Sequence, residues 1–448
     1  MNQFPASSGE TAVDAALAPE EAVIRDEYPV PPGKEEPVAP PGEFQRLIAL
    51  IGLGLFITTI AQPKSIGNLP FLFLFKNKMH LNALQIASFW AVSNFAWYLK
   101  PFAGFLCDGF PLFGTRRKWY LILSAGLGGL LWTVYAFLPV SYAPFLWLTV
   151  ALACMMVVAS TTLGGIMVEQ GQKYGANGRL ASLRQGLEGV MGLIVGPLGG
   201  WLAARAFGIT VGIGAALLLS LVPVTLLFLR EPVTAKRDTD VWKNILAQLK
   251  NVFGSRTMWA AAGLLFFVFL APGFGTPLQF YQIDTLKFSS TFMGWLGVYD
   301  GIGGIIGSVI YATFCRKVNL RLMLTLGIVI NASGTLLYLF YHSAATAQII
   351  TFSNGILGAI AVLPLFDLAA RATPKGSESF GFSLMMSVRN VTLFVISELI
   401  GSYLYSNLQW PFVRLVWLNA GSTALVLLLI PFLPAALMRL KEGETAAA

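Results

Sequence analysis

Arg389, Asp300, Arg184, Glu188, Lys100 and Glu398 all stand inside long apolar runs of the chain. A charge buried in lipid is costly enough that each marks a candidate functional site. At about 1.5 Å of helical rise per residue, Arg389 and Asp300 fall near the middle of their runs. Arg184 and Glu188 are four residues apart, on one helix face. Lys100 lies toward one end of its run, and Glu398 lies toward the far end of the run that holds Arg389. A guanidinium grips a carboxylate through two parallel N–H donors, so Arg389 and Arg184 suit an anionic organic substrate. Lys100 adds charge to that site, and the amides of Asn390 and Gln185 add hydrogen bonds. A carboxyl group taken out of water holds a proton more readily, which makes Asp300 and Glu188 the candidate proton carriers. Structural readings stay open beside these: a self-satisfied Arg184–Glu188 pair, and an Asp300 that serves packing alone. Lys64, in the outer part of the first run, is expected to snorkel toward water.

The runs that must position these charges dominate the composition. Of 448 residues, 56% are hydrophobic and 12% charged. Soluble domains carry about 25% charged residues, so this chain has too little polar surface for an ordinary globular enzyme. An all-α polytopic membrane protein is the class that remains. Three cysteines make no disulfide framework, and two histidines make no histidine-rich metal site. There is no G-x-x-x-x-G-K-[ST] loop for ATP. Gly301-Ile302-Gly303-Gly304 lies inside an apolar run with no strand before it, so it is not a dinucleotide loop. No enzyme, cofactor or metal is expected.

A spanning helix needs about 20 apolar residues. Residues 119–168 and 322–366 contain no Asp, Glu, Lys or Arg, and each suits two spans. Residues 206–229, 257–283 and 415–438 suit one each. Residues 47–75, 83–107, 180–204, 291–314 and 378–406 suit one each with isolated charges. The expected architecture is therefore twelve transmembrane helices, arranged as two pseudo-symmetric six-helix bundles over 46–229 and 257–438. A linker, 230–256, joins them. Within it Trp242, Ile245, Leu246, Leu249, Val252 and Phe253 recur at helical spacing, which predicts an amphipathic helix on the membrane surface.

The first 45 residues hold nine acids and two bases and are rich in proline, so a disordered acidic tail is expected there. Residues 439–448 form a second short tail. Bases cluster at Arg116-Arg117-Lys118, at Arg316, Lys317 and Arg321, and across 230–256. The intervening loops carry few, chiefly Lys76, Lys78, Arg205 and Lys287. This asymmetry places both termini in the cytoplasm, and a bacterial inner membrane is the expected location. Bases scattered in this way read topology and not nucleic acid. The expected partners are a small anion, protons and lipid, around a monomer.

Gly104-Phe-Leu-Cys-Asp108 followed by Gly114, Arg116 and Arg117 resembles the loop signature of the major facilitator superfamily, in which Asp108 would latch one conformation. The longer stretch Lys100-Pro101 to Lys118 looks like the folate–biopterin transporter family. So do Val168-Glu169 with Gly178 to Gln185, and Leu363-Pro-Leu with Ala369-Ala-Arg371, Pro374-Lys-Gly376, Glu378 and Ser383 to Asn390. Where that family often carries an acid in the fourth span, this chain has Gly164-Gly165. The resemblance implies that the spans bearing Arg184, Asp300 and Arg389 border a central cavity.

Pro63, Gly67 and Pro70 should interrupt the first span, and Pro272, Gly273 and Gly275 the seventh. Breaks at matching places in two repeats point to a binding site, where Trp97, Phe280 or Tyr281 would stack a planar ring. Gly192, Gly196 and Gly200, with Gly297, Gly301, Gly304 and Ser308, form small-residue stripes for close packing or sliding. Together these features describe a proton-coupled secondary transporter of a folate- or pterin-like anion, working by alternating access. The alternatives are an exporter of amphipathic compounds on the same fold and a membrane receptor or scaffold without transport.

Overall fold

The computed structural model describes residues 42–100, 102–103, 107, 110–115, 117–173, 177–231, 241–314, 318–374 and 378–433. These residues are helical throughout, apart from turns and one isolated bridge between Leu112 and Thr115. Seven helices among them are long and apolar enough to cross a membrane. The expected twelve spans are not all continuous, because proline and glycine divide some of them.

The first expected span is two helices, α1 (Glu43–Ile60) and α2 (Asn68–Lys78), and α3 (Ala83–Ser93) and the single turn α4 (Phe95–Tyr98) follow. Next come α5 (Lys118–Val134), α6 (Tyr142–Lys173), α7 (Asn177–Ala203) and α8 (Phe207–Phe228). The amphipathic linker forms α9 (Val241–Gly254). Its Val252 is buried in the core, while Leu246 and Phe253 are exposed. The seventh expected span is again two helices, α10 (Arg256–Phe269) and α11 (Gly275–Asp284). After it run α12 (Ser290–Phe314), α13 (Leu320–Leu336), α14 (Ala344–Ala372) and α15 (Glu378–Val391). A π-helical segment, Thr392–Ser397, connects α15 to α16 (Glu398–Ser406), and α17 (Phe412–Leu425) completes the series.

Two large apolar clusters form the core, one mostly of the first half of the chain that also takes in Phe280 and Met293, and one within the second half. In the first, Phe71, Phe75, Phe89, Trp132, Tyr135, Phe145 and Phe207 form one edge-to-face aromatic cluster, a geometry that adds stability beyond the area buried. In the second, Met258, Leu265, Leu324, Leu365, Leu368 and Met385 are central. The halves meet along two seams. α7 packs on α12, and α3 packs on α16 and the π segment.

The α7–α12 seam is built from absent side chains. A Cβ on Gly196 would stand 2.5 Å from the Gly294 carbonyl oxygen, and one on Gly200 would stand 2.6 Å from that of Ser290. The stripe expected on α12 is shifted accordingly. Gly294, Gly297 and Gly301 face α7, whereas Gly303 and Gly307 face the backbone of α14. Gly304 borders open space, and Ser308 is bonded to its own helix through the Gly304 carbonyl.

Candidate functional site

An unwound segment inside a membrane must satisfy its backbone from neighbours, and both breaks do so. In the first, Ser65 N–H donates to Gln62 O, Ile66 N–H donates to Ile60 O, and Trp132 Nε1 of α5 donates to Ala61 O at 2.9 Å. In the second, the donors and acceptors come mainly from the π segment and its neighbours. Gly273 N–H donates to Ser397 O at 2.9 Å, Ser397 Oγ donates to Ala271 O at 2.6 Å, and Asn419 Nδ2 donates to Pro272 O at 2.9 Å. Thr276 N–H, in the first turn of α11, donates to Glu398 Oε1. Gly401 packs directly on the Gly273 carbonyl. The π segment thus sets Ser397 and Glu398 against the second break, in keeping with the link between π-bulges and functional sites.

Arg389 lies in the last turn of α15, and α15 packs on α10, α14 and α4. Its guanidinium sits 4.9 Å from the Phe269 ring centre, 5.4 Å from that of Phe366 and 6.0 Å from that of Phe394. Nη1 donates to Asn390 Oδ1 at 2.9 Å, and the buried Nε has no hydrogen-bond partner. Arg389 and Asp300 form no ion pair. The lone salt bridge among the described residues joins Lys76 and Asp284. The cause is helix order: α14 packs on both α12, which carries Asp300, and α15, which carries Arg389. Asp300 is exposed beside the α14 seam, within electrostatic reach of Tyr338.

Lys64 does not snorkel. It stands in the first break, 4.6 Å from the Phe394 ring centre and 6.0 Å from that of Trp90. Phe394 therefore carries Lys64 from the first half and Arg389 from the second. Lys100 Nζ donates to Ser160 Oγ at 3.0 Å and lies 5.3 Å from the Trp97 ring centre, beside α4. Arg184, Gln185 and Glu188 are on α7, with side chains outside the described residues. Phe280 lies under Lys76 and Tyr281 stacks on Phe412, both away from the Arg389 cage.

The loop expected to latch the fold is described in part, and Gly104, Asp108 and Arg116 lie outside the described residues. Leu112 and Thr115 bracket a tight turn, with Phe113 at φ 48° and Gly114 at φ 78°. Both are left-handed, the conformation that glycine adopts without steric cost. The backbone N–H groups of Arg117 and Lys118 donate to the Glu231 carboxylate, at 3.1 and 2.9 Å to Oε2. An acid at a helix amino end satisfies orphan donors and meets the helix dipole, so Glu231 caps α5. The Arg117 guanidinium lies against Gly165 of α6, in space that a Cβ would fill. Glycine at 165 thus makes room for that arginine. Opposite this end, Lys76 Nζ meets Asp284 Oδ2 at 2.6 Å, tying α2 to α11, and Leu84 N–H donates to Ser406 Oγ at 3.3 Å.

Residues 64–445 match the family model described as the BT1 family. The chain belongs to the BT1 family. The resemblance to folate–biopterin transporters rests on relatives as well. The chain is 28% identical over 357 residues to the "Folate-biopterin transporter" of Synechocystis, covering 74% of this chain and 70% of that protein. It is 26% identical to "Folate transporter 2" of Plasmodium falciparum, covering 90% of each. Its fold is similar to that of the nucleoside transporter NupG (TM-score 0.67, 13% identity, 86% and 99% covered) and of the D-xylose-proton symporter (TM-score 0.61, 16% identity, 90% and 99% covered). The fold is thus that of the major facilitator transporters, and this BT1 chain is a multi-pass membrane transporter, not an enzyme.

Proposed function

We propose that the chain is a secondary active transporter of a folate- or pterin-like organic anion, coupled to protons and working by alternating access. It sits in a bacterial inner membrane with both termini cytoplasmic. The observation that carries the reading is the Arg389 cage. A guanidinium half-buried among Phe269, Phe366 and Phe394, with an unpartnered Nε and no carboxylate on it among the described residues, is prepared for a planar anion. Lys64 and Lys100 extend the positive site, and Trp90 and Trp97 extend its aromatic walls. Arg184 and Gln185 are proposed to close it from α7. The names of the relatives favour folates and pterins among the anions that fit.

Alternating access is supported by the asymmetry of the two ends. On the face that the base distribution makes external, Lys76–Asp284 and Leu84–Ser406 tie the halves together. On the cytoplasmic face, the loop bearing Gly104, Asp108, Gly114, Arg116 and Arg117 is proposed as the latch, with Glu231 as its fixed anchor. A thermal-shift screen of purified protein against folic acid, a neutral pterin, dipeptides, nucleosides and sugar phosphates tests the substrate class. Folic acid should raise the melting temperature, and stabilisation by neutral amphipathic compounds alone would favour an exporter.

A further inference from the structure

Glu398 is the one carboxylate among the described residues seated on a helix break within the membrane, and the anion site has no use for it. Its Oε1 accepts Thr276 N–H at the amino end of α11. The socket around it is made by glycine: a Cβ on Gly273 would stand 2.8 Å from Oε2, and one on Gly275 would stand 3.3 Å from it. Lys64, in the break of the first half of the chain, stands 4.6 Å from the ring centre of Phe394, four residues before Glu398 on the same segment. We infer that Glu398 is the carboxylate that takes up the coupled proton, and that Lys64 is its counter-charge when the proton is absent. This rests on the proton-coupled reading above and adds the residue that does the coupling.

The charged carboxylate is held by two attractions, the amino end of α11 and Lys64. The first lies within the second half, and the second crosses between the halves. A proton on Glu398 removes the charge and weakens both. Lys64 is then left beside Phe394, whose ring it shares with Arg389, without its anion. A substrate carboxylate arriving at Phe394 supplies the missing charge. One proton and one anionic group thus enter together, and the net charge of the cluster is unchanged. Other titratable groups on the neighbouring elements are remote from the socket along the chain. α3 has none, α10 has only Arg256 at its start, and α11 has Tyr281 and Asp284 beyond its first turn. α17 has Arg414 near its start, α15 before the π segment has Glu378 and Arg389, and the helix of Glu398 itself carries Tyr403 and Tyr405.

The test uses the full chain in proteoliposomes with folic acid as probe, comparing counterflow with uptake driven by an acid exterior. Glu398→Gln keeps an acceptor for Thr276 N–H but holds no proton. It should retain counterflow and lose at least tenfold of the gradient stimulation. Retained stimulation overturns the inference, and so does loss of both activities in a folded variant, which would make the role architectural. If Glu398→Gln does not fold, Lys64→Gln decides. With the nearby cation removed, the pH profile of driven uptake should move, and an unmoved profile overturns the inference. A parent chain with normal folic acid counterflow and no gradient stimulation removes the coupling, and this inference with it, but leaves the anion reading standing.

Discussion

Arg389→Lys is the sharpest perturbation of the anion site, because it keeps the charge and removes the planar fork. The guanidinium lies within 6.0 Å of three ring centres, and stacking of this kind contributes about 0.5–1 kcal/mol per ring, more where water is excluded. A hydrogen bond to a charged group contributes about 1.5–3 kcal/mol. Lysine retains the Coulomb attraction and one donor, and loses the second donor and the stacking on flat rings. The loss is therefore about 2–3 kcal/mol, or about 30- to 150-fold in affinity. Arg389→Ala also removes the charge and should weaken folic acid by more than that. Asn390→Ala only frees the fork to rotate, at about 1 kcal/mol, roughly fivefold. Isothermal titration of detergent-purified protein measures all three, with folic acid and with a pterin that has no carboxylate. The carboxylate is what Arg389 should recognise, so the neutral pterin should lose much less. Arg389→Lys binding within twofold of the parent, or an equal loss for the neutral pterin, would refute the reasoning.

Other positions can be tested in the same preparation. Gly196→Ala should lower stability by about 1–3 kcal/mol, because its Cβ meets backbone at 2.5 Å. Gly304→Ala, with nothing within 4 Å, should change the melting temperature by a degree or less. Glu231→Gln should cost about 1 kcal/mol by weakening the α5 cap, read as a melting-temperature drop of a few degrees. Asp284→Asn should leave the melting temperature unchanged, since an exposed pair contributes at most about 1 kcal/mol. It should nevertheless speed labelling of a cysteine at Thr285 from outside. In a chain lacking native cysteines, Gln409→Cys should label without permeabilisation and Lys250→Cys only after it, and the reverse would overturn the orientation.

The helix breaks were legible because proline and glycine act locally: no tertiary contact is needed to know that Pro63 or Pro272 removes a backbone donor. Arg389 was legible for a similar reason, since a guanidinium in an apolar run announces its own cost. Its cage was not. Phe269, Phe366 and Phe394 come from three different helices, and 33 phenylalanines give no hint which of them converge. Lys64 was misplaced because depth along one strand of sequence says nothing about which face a broken segment presents. That Asp300 and Arg389 lie apart was not legible, because the intervening α14 is invisible to spacing. The glycine stripe slipped because α12 has two small faces, one toward α7 and one toward α14, which a four-residue repeat merges. Glu231 hid among the bases of the linker over 230–256, and only its N–H partners mark it as a cap.

The two breaks solve one problem with different chemistry, and the difference has a mechanical consequence. Each unwinds about a turn of backbone in an apolar medium, and each needs outside partners. The first takes a neutral one, Trp132 Nε1, from α5 in its own half, and no change of pH alters that bond. The second takes Ser397, Asn419 and the Glu398 carboxylate, so one of its supports can be neutralised. Lys64 of the first break stands at Phe394, four residues before that carboxylate, so in the proposed scheme one protonation would loosen α11 from α16 and the second half from the first. A device with two such titratable breaks would need two protons to move, and a device with none would not couple. With one, the proposed scheme ties opening of the α2–α11 end to a single proton.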